Sequence, residues 1–389
     1  MSRLNELIQQ YCPDGVEYKP LGEVCDIHKG VQFNKTDMKE EGSYPVINGG
    51  INPSGYVEVF NEEKETITIS QGGASAGYVN FIMTRFWLGA HCYAVKPTQQ
   101  VLNRYLYHFV KQNERTLQQC QYGAGIPALA KATIINLSIP VPPLPVQEEI
   151  VRILDSFTEL QAELQAELQK RLQQYNYYRD NLLSFEGRTD VEWKKLGEIA
   201  TDWYRGAGIK RDEVSEEGIP CIRYGEIHTT YNIWFDECVS HTDENKQPAK
   251  KYADYGDILF AITSEDIPFI GNSVAYIGKE RILVGGDIVV MKHTQNPKYM
   301  SYVLSTSDAV MQKGKGKVKS KVVHTSVPSL KEIVVPIPSL EEQERIATIL
   351  DKFYALTTDI TAGLPAEIEA RRKQYEYYRD QLLTFKQKA

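Results

Sequence analysis

The sequence predicts an α/β (α+β) protein built twice: two globular domains held apart by two long, antiparallel, coiled-coil-like helices, related by an internal pseudo-two-fold repeat. Three observations lead there. Matching segments recur in the same order, short β-type runs lie between them, and two stretches of about 40 residues carry an apolar stripe of helical period.

The repeat comes first because it fixes the boundaries. VEYKPLGEV (16–24) returns as VEWKKLGEI (191–199), an offset of 175, and PVPPLPVQEEIVRILDSF (140–157) returns as PIPSLEEQERIATILDKF (336–353), an offset of 196. QYNYYRDNLLSF (174–185) returns as QYEYYRDQLLTF (374–385), an offset of 200. The steps place a gain of about 21 residues in the second globular segment and four in the second helical one. A duplication with divergent middles accounts for this, and gives domains at 1–145, 146–188, 189–339 and 340–389.

Residues 16–140 and 191–336 hold runs such as YPVING, ETITIS, CYAVKP, IPCIRY, DILFAIT and GDIVVMKH, punctuated by Gly, Pro and Asn. Such runs predict β-rich or mixed globular domains.

Residues 146–185 and 340–386 are helical instead. Ile150, Leu154, Phe157, Leu160, Leu164, Leu168, Leu172, Tyr175 and Tyr178 advance in steps of three and four, and Ile346, Leu350, Phe353, Leu356 and Ile360 do the same. Pro145 suits the first turn of one helix, and Ser339 with Glu342 predicts a capping box for the other. Gly363 and Pro365 predict a break near 363–365, where the four extra residues can be absorbed. Each helix would span about 60 Å, and so long a stripe needs a partner, for which the other helix is the nearest candidate. Within the first, TELQAELQAELQ (158–169) counts in fours. One unit adds about 6 Å and turns about 400°, so it lengthens the helix while leaving its leucines near the seam.

Composition narrows the function classes. Six scattered cysteines without a C-x-x-C pair suggest neither a zinc knuckle nor a disulfide framework. No signal peptide or membrane span is legible, so a cytoplasmic chain with no membrane partner is expected. An Asn/Asp-Pro-Pro-aromatic methyltransferase signature is absent, and KGKGKVKS lacks phosphate-loop spacing. Glu17/Lys19 and Glu192/Lys194 have E-x-K spacing but no suitably placed upstream acid, which reads against a nuclease. No metal site is expected. The formal net charge of −7 argues mildly against simple nucleic-acid binding, although positive charge can gather locally.

The plan resembles the specificity subunit of type I restriction-modification systems, in the subfamily with a four-residue helical spacer repeat. The resemblance rests on the LGE that opens each globule, the P-x-P-P/S-L-x-x-Q-x-x-I that closes it, and the QY-x-YYRD-x-LL-x-F helix ends. It implies two target recognition domains, each reading one half of an asymmetric bipartite DNA site, and a chain without catalysis of its own. It further implies two methyltransferase subunits and restriction/motor subunits as partners, with S-adenosylmethionine, ATP and Mg on those partners and no cofactor on this chain. Residues 158–169 would set the length of the unread spacer. The competing reading is a protein-interaction scaffold with two binding heads, and a third is an enzyme with an unrecognised site.

Candidate DNA contacts follow from placement. Lys29, Gln32, Asn34 and Lys35 follow the first LGE as Arg205, Lys210 and Arg211 follow the second. Asn48 and the Arg223-Tyr224 pair take matched strand ends, and Ser70-Gln71 precede two glycines. Gln121 and Tyr122 lie in the first-domain counterpart of a Gly-spaced run, expected as a loop, that carries Lys313, Lys315, Lys317, Lys319 and Lys321. Amides can read adenine edges and lysines can track phosphates. Along the helices, Leu160, Leu164, Leu168, Tyr178, Arg179, Tyr378 and Arg379 are expected to pack or to dock partners.

Overall fold

A computed structural model describes residues 2–123, 125, 127–247, 249–317, 322–358 and 363–388. The chain falls into two compact units, Met1–Gln165 with Glu367–Ala389, and Ala166–Ala366.

In the first unit the principal sheet has four antiparallel strands in the order Cys25–Lys29, Cys92–Pro97, Thr66–Ser70, Val79–Ile82. The inner strand Thr66–Ser70 is buried on both faces. Ile67 and Ile69 point into the main core with Ile27, Val79 and Val95, as the two-residue period of a strand requires. Tyr56–Val57, Tyr44–Ile47 and Trp87–Leu88 make a smaller sheet whose last pair is parallel. Ile47, Ile82, Phe86 and Leu88 form a second core.

The second unit repeats the plan with additions. Asp202–Arg205, Ile288–Lys292, Ile258–Ala261, Ser273–Tyr276 and Trp234–Phe235 form its principal sheet, in that order. Ile258 and Phe260 face one core while Leu259 and Ala261 face another. The second sheet has five strands rather than three, again with a parallel pair, Ile219–Ile222 beside Ile282–Val284. The extra length lies between these paired strands: Val46 meets Trp87 in the first unit, and Cys221 meets Leu283 in the second. It forms the helix Tyr224–Thr229 and strands including Ser240–Thr242 and Tyr252–Ala253.

Opening and closing repeats pair with each other in each unit. Tyr18–Pro20 runs antiparallel to Ser138–Pro140, and Glu192–Lys195 to Val334–Ile337. This explains why both survive in both halves, since each is the other's hydrogen-bonding partner.

The first spacer helix is Leu144–Ser184, 41 residues with Pro145 in its opening turn. The second comprises Leu340–Thr358 and Leu364–Leu382, with Pro365 second in the latter; residues 359–362 lie outside the described residues. Its capping box is half made. The Ser339 hydroxyl accepts from the Glu342 N–H at 3.3 Å, but the Glu342 carboxylate turns to Arg345 at 2.6 Å.

Helix pairing within each unit is antiparallel. In the first, Phe157 stacks on Tyr378, while Tyr18, paired with Pro140 before the long helix, donates to the carbonyl of Phe385. In the second, Tyr178 stacks on Phe353 and Arg188, beyond the helix, reaches Glu342. Leu160, Leu164 and Leu168 are half-buried, and no residue of 158–169 is fully buried.

Each globule meets an aspartate of a spacer helix through a matching polar cluster. In the first unit the Arg104 guanidinium bonds Asp155 at 2.6 Å, buried His108 sits 2.7 Å from the same carboxylate, and the other nitrogen of His108 meets the Tyr375 hydroxyl at 3.0 Å. Burial pushes the His108 pKa down despite that carboxylate, so the ring is neutral: Nε2–H donates to Asp155 and Nδ1 accepts from Tyr375. In the second unit Lys298 and Tyr302 bond Asp351 at 2.6 and 2.7 Å. Gln147 and Gln343 do matching work below them, each donating to a proline carbonyl, Pro142 and Pro338. The YYRD aspartates finish the join: Gln112 donates to Asp380, and Ser307 to Asp180. Arg179 and Arg379 lie over Tyr175 and Tyr375, so the arginine of each cluster packs into the helix root while Tyr177, Tyr178 and Tyr377 are exposed.

Candidate nucleic-acid interface

The parallel strand pair of each unit ends at a corner, and a glycine lets a neighbouring strand cross it. A Cβ on Gly30 would stand 2.3 Å from the carbonyl oxygen of Leu88, and one on Gly206 would stand 2.2 Å from that of Gly285. No side chain fits at either place. The chain therefore leaves Lys29 and Arg205 and passes over the corner, bringing 31–35 and 207–211 beside it.

In the second unit this corner is an open cavity of about 880 Å³. Arg205, Arg211, Arg223 and Tyr224 line it above Gly285 and Gly286, so four residues singled out from the sequence converge. Arg205 is held by Asp287 at 2.5 Å and by the Gly286 carbonyl. Arg223 is the cap residue of Tyr224–Thr229; its N–H donates to Glu226 at 2.9 Å and its guanidinium lies 3.4 Å from the same carboxyl group. Glu226 is buried and also accepts from Ser240. Among the described residues Arg211 has no ion-pair partner, while Lys210 lies 3.8 Å from Glu213.

The first unit builds the strand end of the same corner from neutral groups, with its positive charge, Lys29 and Lys35, on the crossing segment. Asn48 Oδ1 accepts from the His91 N–H at 3.0 Å, leaving its amide N–H groups to donate outward. Ser70 and Ser75 both donate to the Gly49 carbonyl, at 2.8 Å for Ser75. Ser70 is buried, so its hydroxyl shapes the turn from within. Val31 is anchored on the parallel strand: its N–H donates to Leu88, and Trp87 donates to its carbonyl. Lys29, Gln32, Asn34 and Lys35 are exposed along this segment. Asn34 is turned to Asp37 and Gln32 to the Phe33 carbonyl.

Gln71 and Gln121 belong to a second patch of the first unit. The Gln71 N–H donates to His91 and its carbonyl accepts from Leu129, while Gln121 donates to Ala76. Tyr122 is 57% exposed beside them.

The lysine run is divided. Lys313 lies in the helix Ser307–Gly314, not in a loop. Its ammonium is buried, donating to the Leu304 carbonyl at 2.8 Å and to Ser273 at 3.3 Å, and burial lowers its pKa to about 7. It is therefore an interior group. Lys315 is exposed after the helix, and Lys317 donates to the His324 carbonyl. Lys319 and Lys321 lie outside the described residues.

Asp287, Glu226 and His91 were not apparent as corner residues from the sequence. The signal for His91 and Asp287 was the offset of 196 that aligns them, next to Gly285-Gly286, whereas Glu226 lies in the extra length of the second unit and carried none. No group of three metal-ligating side chains occurs among the described residues, and none of their helices is long and apolar enough to cross a membrane.

Comparison with known proteins agrees with this two-fold plan. The family model described as type I restriction modification DNA specificity domain matches twice, over residues 13–174 and 189–370. A Haemophilus influenzae protein assigned as a type I restriction enzyme specificity subunit is 32% identical over 387 residues, covering 95% of this chain and 96% of its own. The Escherichia coli type I restriction enzyme EcoR124I/EcoR124II specificity subunit is 31% identical over 423 residues, covering 99% and 97%. Among solved structures, the type I restriction-modification S subunit from M. genitalium aligns with a TM-score of 0.51 at 19% identity, over 95% of each chain. A chain from a type I restriction-modification assembly aligns at 0.60 and 13% identity, over 96% and 98%. These two likenesses speak for the fold.

Proposed function

The chain belongs to the type I restriction-modification DNA specificity family, and from that premise we propose that its two heads read the two unlike halves of a bipartite DNA site. One observation carries the proposal: the same strand corner exists in both heads, and at its strand end stand Arg223 with Glu226 in one and the Asn48 amide with the Ser70 and Ser75 hydroxyls in the other. A repeated scaffold with divergent donors at one surface is what reading two different half-sites requires.

In this reading the chain is a recognition component without catalysis of its own. Two methyltransferase subunits dock on the helices, restriction/motor subunits join them, and S-adenosylmethionine, ATP and Mg are bound by those partners in the cytoplasm. The partners supply much of the phosphate clamp, which reconciles DNA binding with a net charge of −7. The stretch 158–169 sets the spacer.

The test combines the chain with its methyltransferase partner and S-adenosylmethionine and maps methylated sites. An asymmetric, interrupted sequence is expected, and deletion of Ala162–Gln165 should keep both half-sites while shortening the gap by one or two base pairs, since one helical unit is about 6 Å. An uninterrupted palindrome rules out two unlike heads, and an unchanged gap rules out the ruler. DNA affinity that does not fall steeply with salt favours a protein scaffold instead.

A further inference from the structure

Resting on that reading, we infer that Arg223 is a specificity-determining residue that reads a guanine in the half-site of the second head. The cavity beside Arg223 has a floor of glycine backbone. Gly285 and Gly286 line it and present main chain there, with no side chain to stand between Arg223 and a nucleobase edge, and Tyr224, 40% exposed, lies at the side.

The charges in the cavity separate base from phosphate. Three guanidinium groups line it, but so do two carboxylates, Glu226 and Asp287, each engaged by an arginine. A phosphate brought to Arg223 would also meet these carboxylates. A guanine edge carries no net charge and presents two acceptors, O6 and N7, spaced for the guanidinium fork. Arg223 is also braced as a reader should be. Its backbone N–H and its guanidinium share one buried carboxylate, itself tied to Ser240, so the arginine loses little freedom on binding. Arg211, exposed and without an acidic partner among the described residues, suits a phosphate at the rim. The first head offers no equivalent fork, because Asn48 stands at its strand end with its oxygen already committed to His91.

The experiment uses the full chain with its methyltransferase partner, on duplex libraries in which each half-site is randomised in turn. Wild type should require guanine at one position of the half-site that changes when the second head is swapped. Arg223→Gln should relax that position by about tenfold to a hundredfold and leave the other half-site intact. Arg223→Lys keeps the charge without the fork and should relax it too, and serves if the glutamine variant melts early. Arg211→Gln should weaken methylation evenly across sequences. Unchanged base preference in both Arg223 variants, with methylation retained, overturns the assignment and leaves the two-head reading standing. Wild type without any bipartite preference overturns both.

Discussion

At the root of the first head Arg104 and His108 converge on Asp155; at the root of the second, Lys298 and Tyr302 converge on Asp351. The residue types differ at two of three positions, yet the donors and the acceptor keep their places. At the strand corners the opposite holds. Asn48 and His91 join through a neutral backbone bond, whereas at the matching places Arg223 and Asp287 are engaged in charged pairs with Glu226 and Arg205. The join keeps its helix carboxylate paired in both units, because leaving a buried charge unpaired there costs free energy. A corner facing solvent pays no such penalty and is free to change its chemistry.

The strongest way to break this comparison is to remove an acceptor at the root. Asp155→Ala strands Arg104 and the buried His108, and should cost about 3 kcal/mol, read as a shifted denaturant midpoint. Asp351→Ala should cost a similar amount; a loss confined to one unit would show that the joins are not equivalent.

A second test separates interior from surface cations in the second head. Lys313 titrates near pH 7 in the fold against 10.5 for the free group. Between those values the unfolded chain binds more protons, so stability should rise with pH across that window and be flat below it. Lys313→Met should remove that slope and raise stability at pH 7 by about 1 to 4 kcal/mol, measured by thermal melting at stepped pH. A slope that survives the substitution places the effect elsewhere.

The smallest effects are expected at the lysines that follow the helix. Lys315→Ala and Lys317→Ala should each reduce the salt dependence of DNA affinity by about one unit of log–log slope, whereas Lys313→Met should leave it unaltered. Equal slopes for all three would contradict the division of the run.

What the sequence showed follows from the range of each signal. The helices were legible because their stripe of leucines and aromatics is local and long. The duplication was legible because opening and closing motifs pair with one another and cannot drift separately. Strands such as Cys92–Pro97 were read to the residue. Two- and three-residue strands, Val214–Ser215, Ser240–Thr242 and Tyr252–Ala253, were not, since so few residues show no alternation. Lys313 was misplaced for a related reason: alternating Gly and Lys has loop composition, and only the fold reveals the Leu304 carbonyl that accepts its hydrogen bond. At the corner, basic and amide residues could be nominated, but which of their atoms are already committed depends on residues more than 40 positions away, as with Asn48 and His91.

The half-buried leucines of 158–169 have a consequence for heredity. Since no side chain of that stretch is fully enclosed, and the boundary between the two compact units falls between Gln165 and Ala166, copying errors that add or drop one Ala-Glu-Leu-Gln unit preserve the reading frame and disturb neither hydrophobic core. Under the proposed ruler, such a change would give a lineage a new target in a single genetic step, with both recognition surfaces inherited intact.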